Sequence, residues 1–215
     1  MDNDIPLKFN HTVTRIHGKE RVEGVTISEV DPATRKPIKG TEQFYPCDTL
    51  LLSVGLIPEN ELTLGTGAAM DRVTGGAEVD ETRETSIPGI FACGNVLHVH
   101  DLVDNVSMEA AIAGRSAAAY AARGEACPVA RRVEARGGVR YVVPQRIRAA
   151  AQGEIPLMLR VGDVYKDATL VARCGETILA KRKKRIFTPG EMETLPLDAQ
   201  RITGDIIVEM EAQKA

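Results

Sequence analysis

The sequence contains no pair of cysteines with C-x-x-C spacing. Its four cysteines, Cys47, Cys93, Cys127 and Cys174, are spread widely over the 215 residues. Redox dithiols and paired-thiolate zinc sites both require closely spaced thiols, so this distribution argues against either kind of site in the chain. We expect scattered, reduced thiols without a redox role, and we predict no metal site.

Long apolar runs and an excess of charge of one sign are also lacking. The longest apolar stretches, 49–54 and 117–122, fall well short of the roughly 20 residues that a membrane-spanning helix needs. The formal net charge of -3 creates no broad field for nucleic acid or anionic membrane. The amino terminus lacks the basic start and apolar run of a secretory signal. We expect a cytoplasmic chain with no membrane span and no nucleic-acid partner.

Strand-like patterns dominate the first part of the chain. Alternation of apolar and polar residues at 7–16 and again at 22–27 predicts a β-hairpin, and a short run at 41–45 predicts a further strand. The apolar run 49–54, which ends at Gly55, does not alternate. Such a run is typical of a strand buried on both faces, as in a parallel sheet covered by helices.

One segment has a strong helical pattern, from about Asp104 to Arg123, with small residues at helical spacing. After Gly124 the composition changes to that of a linker, and we place a domain boundary near residue 126. The remainder shows short alternating runs separated by Gly, Pro and Asp, which predicts a small β-sandwich. These runs are 157–161, 169–173, 177–182 and 205–210.

The segment 85–95, TSIPGIFACGN, is the most informative motif. It predicts a short buried strand at 90–93 that delivers Gly94 to the carboxyl edge of a sheet, where open α/β sheets bind ligands. Gly94 has no Cβ to block a cofactor, and Asn95 can accept a hydroxyl hydrogen bond without carrying charge. With the helix that follows, the segment resembles the second FAD-binding motif of the pyridine nucleotide-disulfide oxidoreductase superfamily, T-x(4)-I/V-F/Y-A-x-G-D. Asn95 replaces the aspartate of most members.

A second motif, CDTLLLSVGLIPEN at 47–60, resembles the strand and G-x-x-P crossover that leave the nicotinamide domain of these enzymes. There Gly55 would let the backbone approach the dinucleotide, and Pro58 would stiffen the return to the FAD domain. The run 92–101 resembles flavin subunits similar to the alpha chains of amino-acid and opine oxidases, and oxidoreductases that accompany glycerol-3-phosphate dehydrogenase. That resemblance implies a partner subunit in a heteromeric oxidoreductase.

The resemblance implies FAD, and NAD or NADP in the complete enzyme, as cofactors. Met108, Glu109 and Ala110 match the stretch that faces the flavin in relatives, where the positive end of a helix would stabilise the reduced ring. With Gly94, Asn95 and Gly55 they are the candidate cofactor-binding residues. The implied fold is α/β, a partial two-dinucleotide-domain fold with a β-meander, followed by a small all-β domain. Its expected divisions are 1–126 (1–58 nicotinamide domain, 59–126 FAD domain) and 127–215.

Neither of the two G-x-G-x-x-G fingerprints of complete members is present. The nearest segment, 65–70, lacks the last glycine and follows a polar loop. We therefore expect the carboxyl-terminal part of an enzyme that transfers hydride between NAD(P)H and FAD, incomplete by itself, with no catalytic residue assigned. The alternative is a non-catalytic assembly module that docks a partner, or one subunit of a split flavoenzyme.

Two further features admit more than one interpretation. His98 and His100 alternate on an extended stretch, and with Asp101 or Asp104 they could bind metal or line the flavin pocket. We favour solvated loop histidines. The basic run 181–185 could contact nucleic acid, but its apolar flanks fit better with a solvent-facing strand or turn.

Overall fold

The computed structural model describes residues 5–53, 55–124 and 128–211. The chain forms two compact units, Met1–Gly55 and Leu56–Ala215. The predicted boundary near residue 126 and Cys127 lie outside the described residues. That boundary stays a prediction. In the described ranges, no helix is long and apolar enough to cross a membrane.

The first unit is a three-stranded antiparallel meander. Its strands are β1 (His11–His17), β2 (Gly24–Glu29) and β3 (Gln43–Pro46), in the order β1-β2-β3. The predicted hairpin and third strand are confirmed.

The prediction of a strand at 49–54 is wrong for residues 49–53, the part that the structure describes. Residues 49–53 form no regular structure, and Leu51 and Leu52 are 89% and 65% exposed. An apolar run becomes a central strand only where neighbouring strands pair with it and other elements cover it. None of the described strands of this unit pairs with these residues. Val54 lies outside the described residues.

The second unit begins with loops and two α-helices. They are α1 (Glu61–Gly65) and α2 (Val103–Arg123), with a 3-10 turn at Gly94–Val96 between them. The predicted long helix is confirmed; it ends at Gly124 in the left-handed conformation that glycine adopts readily at this position. The short strand predicted at 90–93 is reduced to one isolated bridge between Glu84 and Phe91, because no strand among the described residues pairs with it.

The rest of the second unit is β-structure in two sheets. The strands are β4 (Val129–Ala135), β5 (Val139–Val143), β6 (Arg146–Arg148), β7 (Glu154–Val161), β8 (Tyr165–Cys174), β9 (Thr177–Phe187), β10 (Glu193–Asp198) and β11 (Ile206–Glu211). One sheet has the order β10-β7-β5 and the other β6-β4-β11-β8-β9, with only β4 and β11 parallel among the described pairings. The four alternating runs of the sequence are confirmed as parts of β7, β8, β9 and β11, the last of which begins at Ile206.

Both sheets contribute to one apolar core, in which Leu157 and Leu159 of β7 belong to the same cluster as Leu170 of β8 and Ile206 of β11. The basic run 181–185 lies on β9, an edge strand, and its residues alternate between exposed and half-buried.

A second, smaller core joins the loops before α2 to the β-structure. Ala77, Val79 and Leu97 are fully buried against Tyr141 and Val143 of β5. This shared burial explains why the motif region after Gly55 and the β-rich region form one compact unit.

Candidate functional site

The Gly94-Asn95 pair lies at the start of the 3-10 turn, ahead of α2. Gly94 is buried and has a φ of +72°, a conformation that favours glycine. A Cβ here would lie 3.4 Å from Val106 Cγ1, an ordinary contact, so the backbone conformation and not the space requires glycine. Asn95 is exposed, and its Oδ1 accepts a hydrogen bond from the His100 amide at 3.1 Å. Oδ1 keeps a second lone pair, and Nδ2 donates to no residue that the structure describes, so both can meet a ligand.

The crossover motif contacts this turn directly. Asn60 is buried, and its Nδ2 donates to the carbonyl oxygens of Gly75 and Val96, each at 2.8 Å. The asparagine of the second sequence motif thus fixes the end of the turn that begins at Gly94.

Glu109 is the centre of a buried polar network beneath Gly94. Its Oε1 accepts hydrogen bonds from Arg83 Nε at 2.9 Å and His98 Nε2 at 3.1 Å. Its Oε2 accepts from the Gly94 amide at 2.8 Å and His100 Nε2 at 3.0 Å. Four donors fill the acceptor positions of the carboxylate, whose side chain is fully buried.

The electrostatics of this network favour an ionised Glu109. Burial alone would raise the pKa of Glu109, but hydrogen bonds from His100 and His98 and the charge of Arg83 outweigh it and hold this pKa well below its usual value. The Arg83 side chain is also fully buried, so the two opposite charges compensate one another. Glu109 also accepts the Gly94 amide hydrogen, and the side chains of Glu109 and Arg83 are both fully buried.

The expectation of solvated histidines is wrong. His98 and His100 are 0% and 8% exposed, and their ring centroids are 4.3 Å apart. Burial lowers the pKa of His98, which favours its neutral form. Each ring points Nε2 at the Glu109 carboxylate and donates a hydrogen bond there. The alternation was visible in sequence, but the carboxylate that attracts both rings comes from α2.

Asp101, one of the acidic residues considered as a partner of the histidines, contacts Arg160 instead, at 3.4 Å.

His98, His100 and Glu109 are residue types that bind metal, and their ligand atoms lie within 4.8 Å of one another. The sequence pattern placed the two histidines near Asp101 or Asp104 and did not predict Glu109 as their partner. However, the Arg83 guanidinium lies 2.9 Å from the carboxylate, and each Glu109 oxygen already accepts two hydrogen bonds. A divalent cation would have to displace these donors against the arginine charge. The residues therefore fit a closed hydrogen-bond network better than a metal site.

The other candidate residues are dispersed. Met108 is 52% exposed and Ala110 is exposed, on either side of the buried Glu109. Because α2 begins at Val103, the free amides of its first turn precede these residues, and the amides of 108–110 lie in the second turn. The expectation that these residues lie at the positive end of the helix is therefore wrong, while their contact with flavin stays a prediction. Gly55 is exposed, with a φ of +87° and open space around it.

Sequence reasoning missed Arg83 and Tyr141. Arg83 lies in a loop, has a φ of +68° and carries no motif signal. Tyr141 lies in the β-rich region, and its hydroxyl is 3.5 Å from His98 Nδ1. Only the packing of β5 against the loops reveals these residues.

A glycine turn next to a long small-residue helix and a proline-containing crossover is typical of dinucleotide-binding flavoproteins. The model of the pyridine nucleotide-disulphide oxidoreductase family matches residues 1–126, and the chain belongs to that family. FAD and NAD(P) are the cofactors of this family.

Individual relatives match over shorter segments. Thioredoxin reductase of Listeria monocytogenes is 33% identical over 97 residues, 44% of this chain and 27% of the relative. NADH oxidase of Streptococcus pyogenes is 29% identical over 46% of this chain and 19% of the relative. Glutamate synthase [NADH] of Schizosaccharomyces pombe is 33% identical over 32% of this chain and 3% of the relative. The chain thus spans about a quarter or less of the curated relatives it matches.

Proposed function

We propose that this chain supplies the second half of the FAD site in an oxidoreductase that transfers hydride between NADH or NADPH and FAD. The observation that carries the proposal is the Gly94-Asn95 turn, which lies within the family match and is held from below by Glu109. The bound flavin would supply the hydride chemistry, while the protein positions it and tunes its potential.

The residues around the turn would divide this task. Asn95 is exposed and offers an uncharged amide to a ribityl hydroxyl or phosphate. Gly94 lets that ligand come close, and Glu109 keeps the Gly94 backbone in place through the amide hydrogen bond. Glu109 therefore acts as a positioning residue, and Met108 and Ala110 are the members of the predicted flavin-facing set that remain accessible.

We further propose that another region, with the two G-x-G-x-x-G fingerprints, completes the site. Only Glu109 and Ala113 of the 21 residues of α2 are buried. The exposed residues include a set of small ones, which would let a sheet or a cofactor approach closely: Ala110, Ala111, Gly114 and Ala118. A partner subunit of a heteromeric oxidoreductase is one source of the completing region.

The β-rich region 128–211 would then serve the assembly. We propose that its two sheets are the layers of a small β-sandwich, since both contribute to one core. If the chain is instead a non-catalytic assembly module, this region would dock the partner and the motif region would act as scaffold. The exposed face of α2 is equally consistent with that role, so flavin binding is the property that separates the two.

The test is titration of the chain with FAD, followed by quenching of flavin fluorescence, for the wild type, Asn95→Asp and Asn95→Ala. We expect saturable binding that Asn95→Ala weakens about tenfold, equivalent to one polar contact of about 1.4 kcal/mol. Asn105→Ala changes an asparagine on α2, outside the 3-10 turn. It is the matched control and should bind FAD like the wild type. Saturable binding that Asn95→Ala leaves unchanged would reject this site. Absence of saturable binding in all four proteins, while they remain folded, would favour the assembly module or a site that forms only with the completing region.

A further inference from the structure

A second concave site lies next to His98 and does not include the Gly94 turn. It is a cavity of about 420 Å³ within the second unit, between the segments 56–58 and 72–75 and the strands β5 and β7. This volume falls in the range of pockets that bind small molecules. Its apolar wall includes Ile57, Val73 and Pro189.

The charge of the lining is strongly biased. Arg72, Arg140 and Arg160 line the cavity, and the described lining contains no carboxylate, although the chain as a whole has a net charge of -3. Arg72 and Arg140 are exposed, and their side chains make no hydrogen bond or ion pair with any residue that the structure describes. Two unpaired guanidinium groups on one cavity form a ready site for an oxyanion, because their planar donor forks match carboxylate and phosphate oxygens.

The third arginine is held in place. Arg160 Nη1 donates to the Pro189 carbonyl at 3.1 Å, and its Nη2 donates to the Val99 carbonyl at 3.2 Å and to Asp101 at 3.4 Å. Asp101 is not part of the lining, but its carboxylate contacts this guanidinium and partly offsets its positive charge. Arg160 thus gives the cavity a rigid polar edge, whereas Arg72 and Arg140 carry the charge that a ligand would neutralise.

The floor of the cavity is polar and buried. Tyr141 is 8% exposed and His98 is 0% exposed, and both line the cavity. Burial raises the pKa of the Tyr141 phenol, so its hydroxyl remains a hydrogen-bond donor at neutral pH. The hydroxyl lies 3.5 Å from His98 Nδ1 and also interacts with the Arg160 guanidinium, so it connects the floor of the cavity to its polar edge.

We propose that this cavity binds a small organic anion whose carboxylate or phosphate group lies between Arg72 and Arg140 and whose apolar part contacts Val73 and Pro189. The site is separate from the flavin motif and does not rest on the proposed function. Through His98, which lines the cavity and donates to Glu109, the site adjoins the network that holds Gly94.

Isothermal titration of the full chain at low ionic strength tests the proposal with three probes of similar size: phenyl phosphate, benzoate and benzyl alcohol. We expect saturable binding of at least one anion and much weaker binding of the neutral alcohol. The stronger of the two anions identifies phosphate or carboxylate as the favoured group. Equal binding of all three probes, or no saturable binding of either anion up to about 10 mM, would overturn the proposal.

Two double variants locate the binding. Arg72→Gln with Arg140→Gln should weaken binding of the anion at least about tenfold, since each charge-assisted contact contributes about 1 kcal/mol or more. Arg123→Gln with Arg185→Gln removes the same charge at exposed positions outside the cavity and should leave affinity unchanged. The same loss in both double variants would show that only overall charge matters, which would reject the assigned site.

Discussion

The Glu109 carboxylate accepts the amide hydrogen of Gly94 at 2.8 Å, so the second turn of α2 fixes the glycine of the flavin motif that precedes Asn95. The same carboxylate orients His98 and His100 and neutralises Arg83. The motif and the helix after it therefore form one polar unit, and a change at its centre should disturb the whole turn.

Replacement of Glu109 tests this view. Glu109→Gln keeps the shape but removes the charge that compensates the buried Arg83, and its amide cannot accept four hydrogen bonds. We expect the free energy of unfolding to fall by about 3–5 kcal/mol, as for other broken buried ion pairs. Urea unfolding measures it, with Glu176→Gln, an exposed carboxylate, as the control expected within about 0.5 kcal/mol of wild type. A loss similar to that of the control would contradict a central role for Glu109.

Stability should decline on acidification. Burial lowers the pKa of His98 from its ordinary 6.5, so below about pH 6.5 the unfolded chain takes up a proton that the folded chain does not. The pKa of Glu109 is lowered from 4.5, so its contribution is present above about pH 4.5 and is lost as the pH falls further. Both effects reduce the free energy of unfolding in the same direction.

Urea midpoints measured from about pH 7.5 down to 5 separate the histidine part. His98→Gln should be less stable at neutral pH but should show a shallower decline between about pH 6.5 and 5 than the wild type. An identical slope in the two proteins would show that His98 does not titrate as inferred.

Arg148 joins the loop before the flavin motif to the β-structure. Its Nε donates to Asp80 at 2.6 Å, its Nη2 contacts Glu84, and its amide donates to Glu81 at 2.9 Å. Arg148→Gln should lower the free energy of unfolding by about 3 kcal/mol, because two largely buried carboxylates lose their partner. Hydrogen exchange should rise most in 80–92. Arg185→Gln serves as the control, and uniform exchange across the second unit would contradict a local link.

The same substitution, glycine to alanine, should have opposite effects on stability at Gly76 and at Gly114. A Cβ at Gly76 would lie 1.9 Å from the Leu97 carbonyl oxygen, whereas at Gly114 on α2 it would meet open space. Gly76→Ala should therefore destabilise the chain by about 1–3 kcal/mol. Gly114→Ala should stabilise it by about 0.5–1 kcal/mol, since alanine favours helix. Thermal unfolding measures both changes, and a neutral Gly76→Ala would show that the backbone at Leu97 can yield.

Local patterns predicted the regular elements well. The hairpin, the long helix and the β-rich remainder each depend on periodicity that neighbouring residues impose on one another, and they formed as expected. The apolar run 49–54 did not become a strand in its described part, because a non-alternating strand takes its stability from partners and not from its own residues.

The sequence by itself determined the family of this protein, through motifs whose glycines and small residues must stand at fixed spacing along the chain. The tertiary structure alone decided which polar side chains meet: Arg83, His98 and His100 converge on Glu109, and three arginines converge on one cavity. These residues lie far apart in the chain or carry no periodic signal. A buried charge can choose its partner only after the elements have packed and excluded water, which no local pattern specifies.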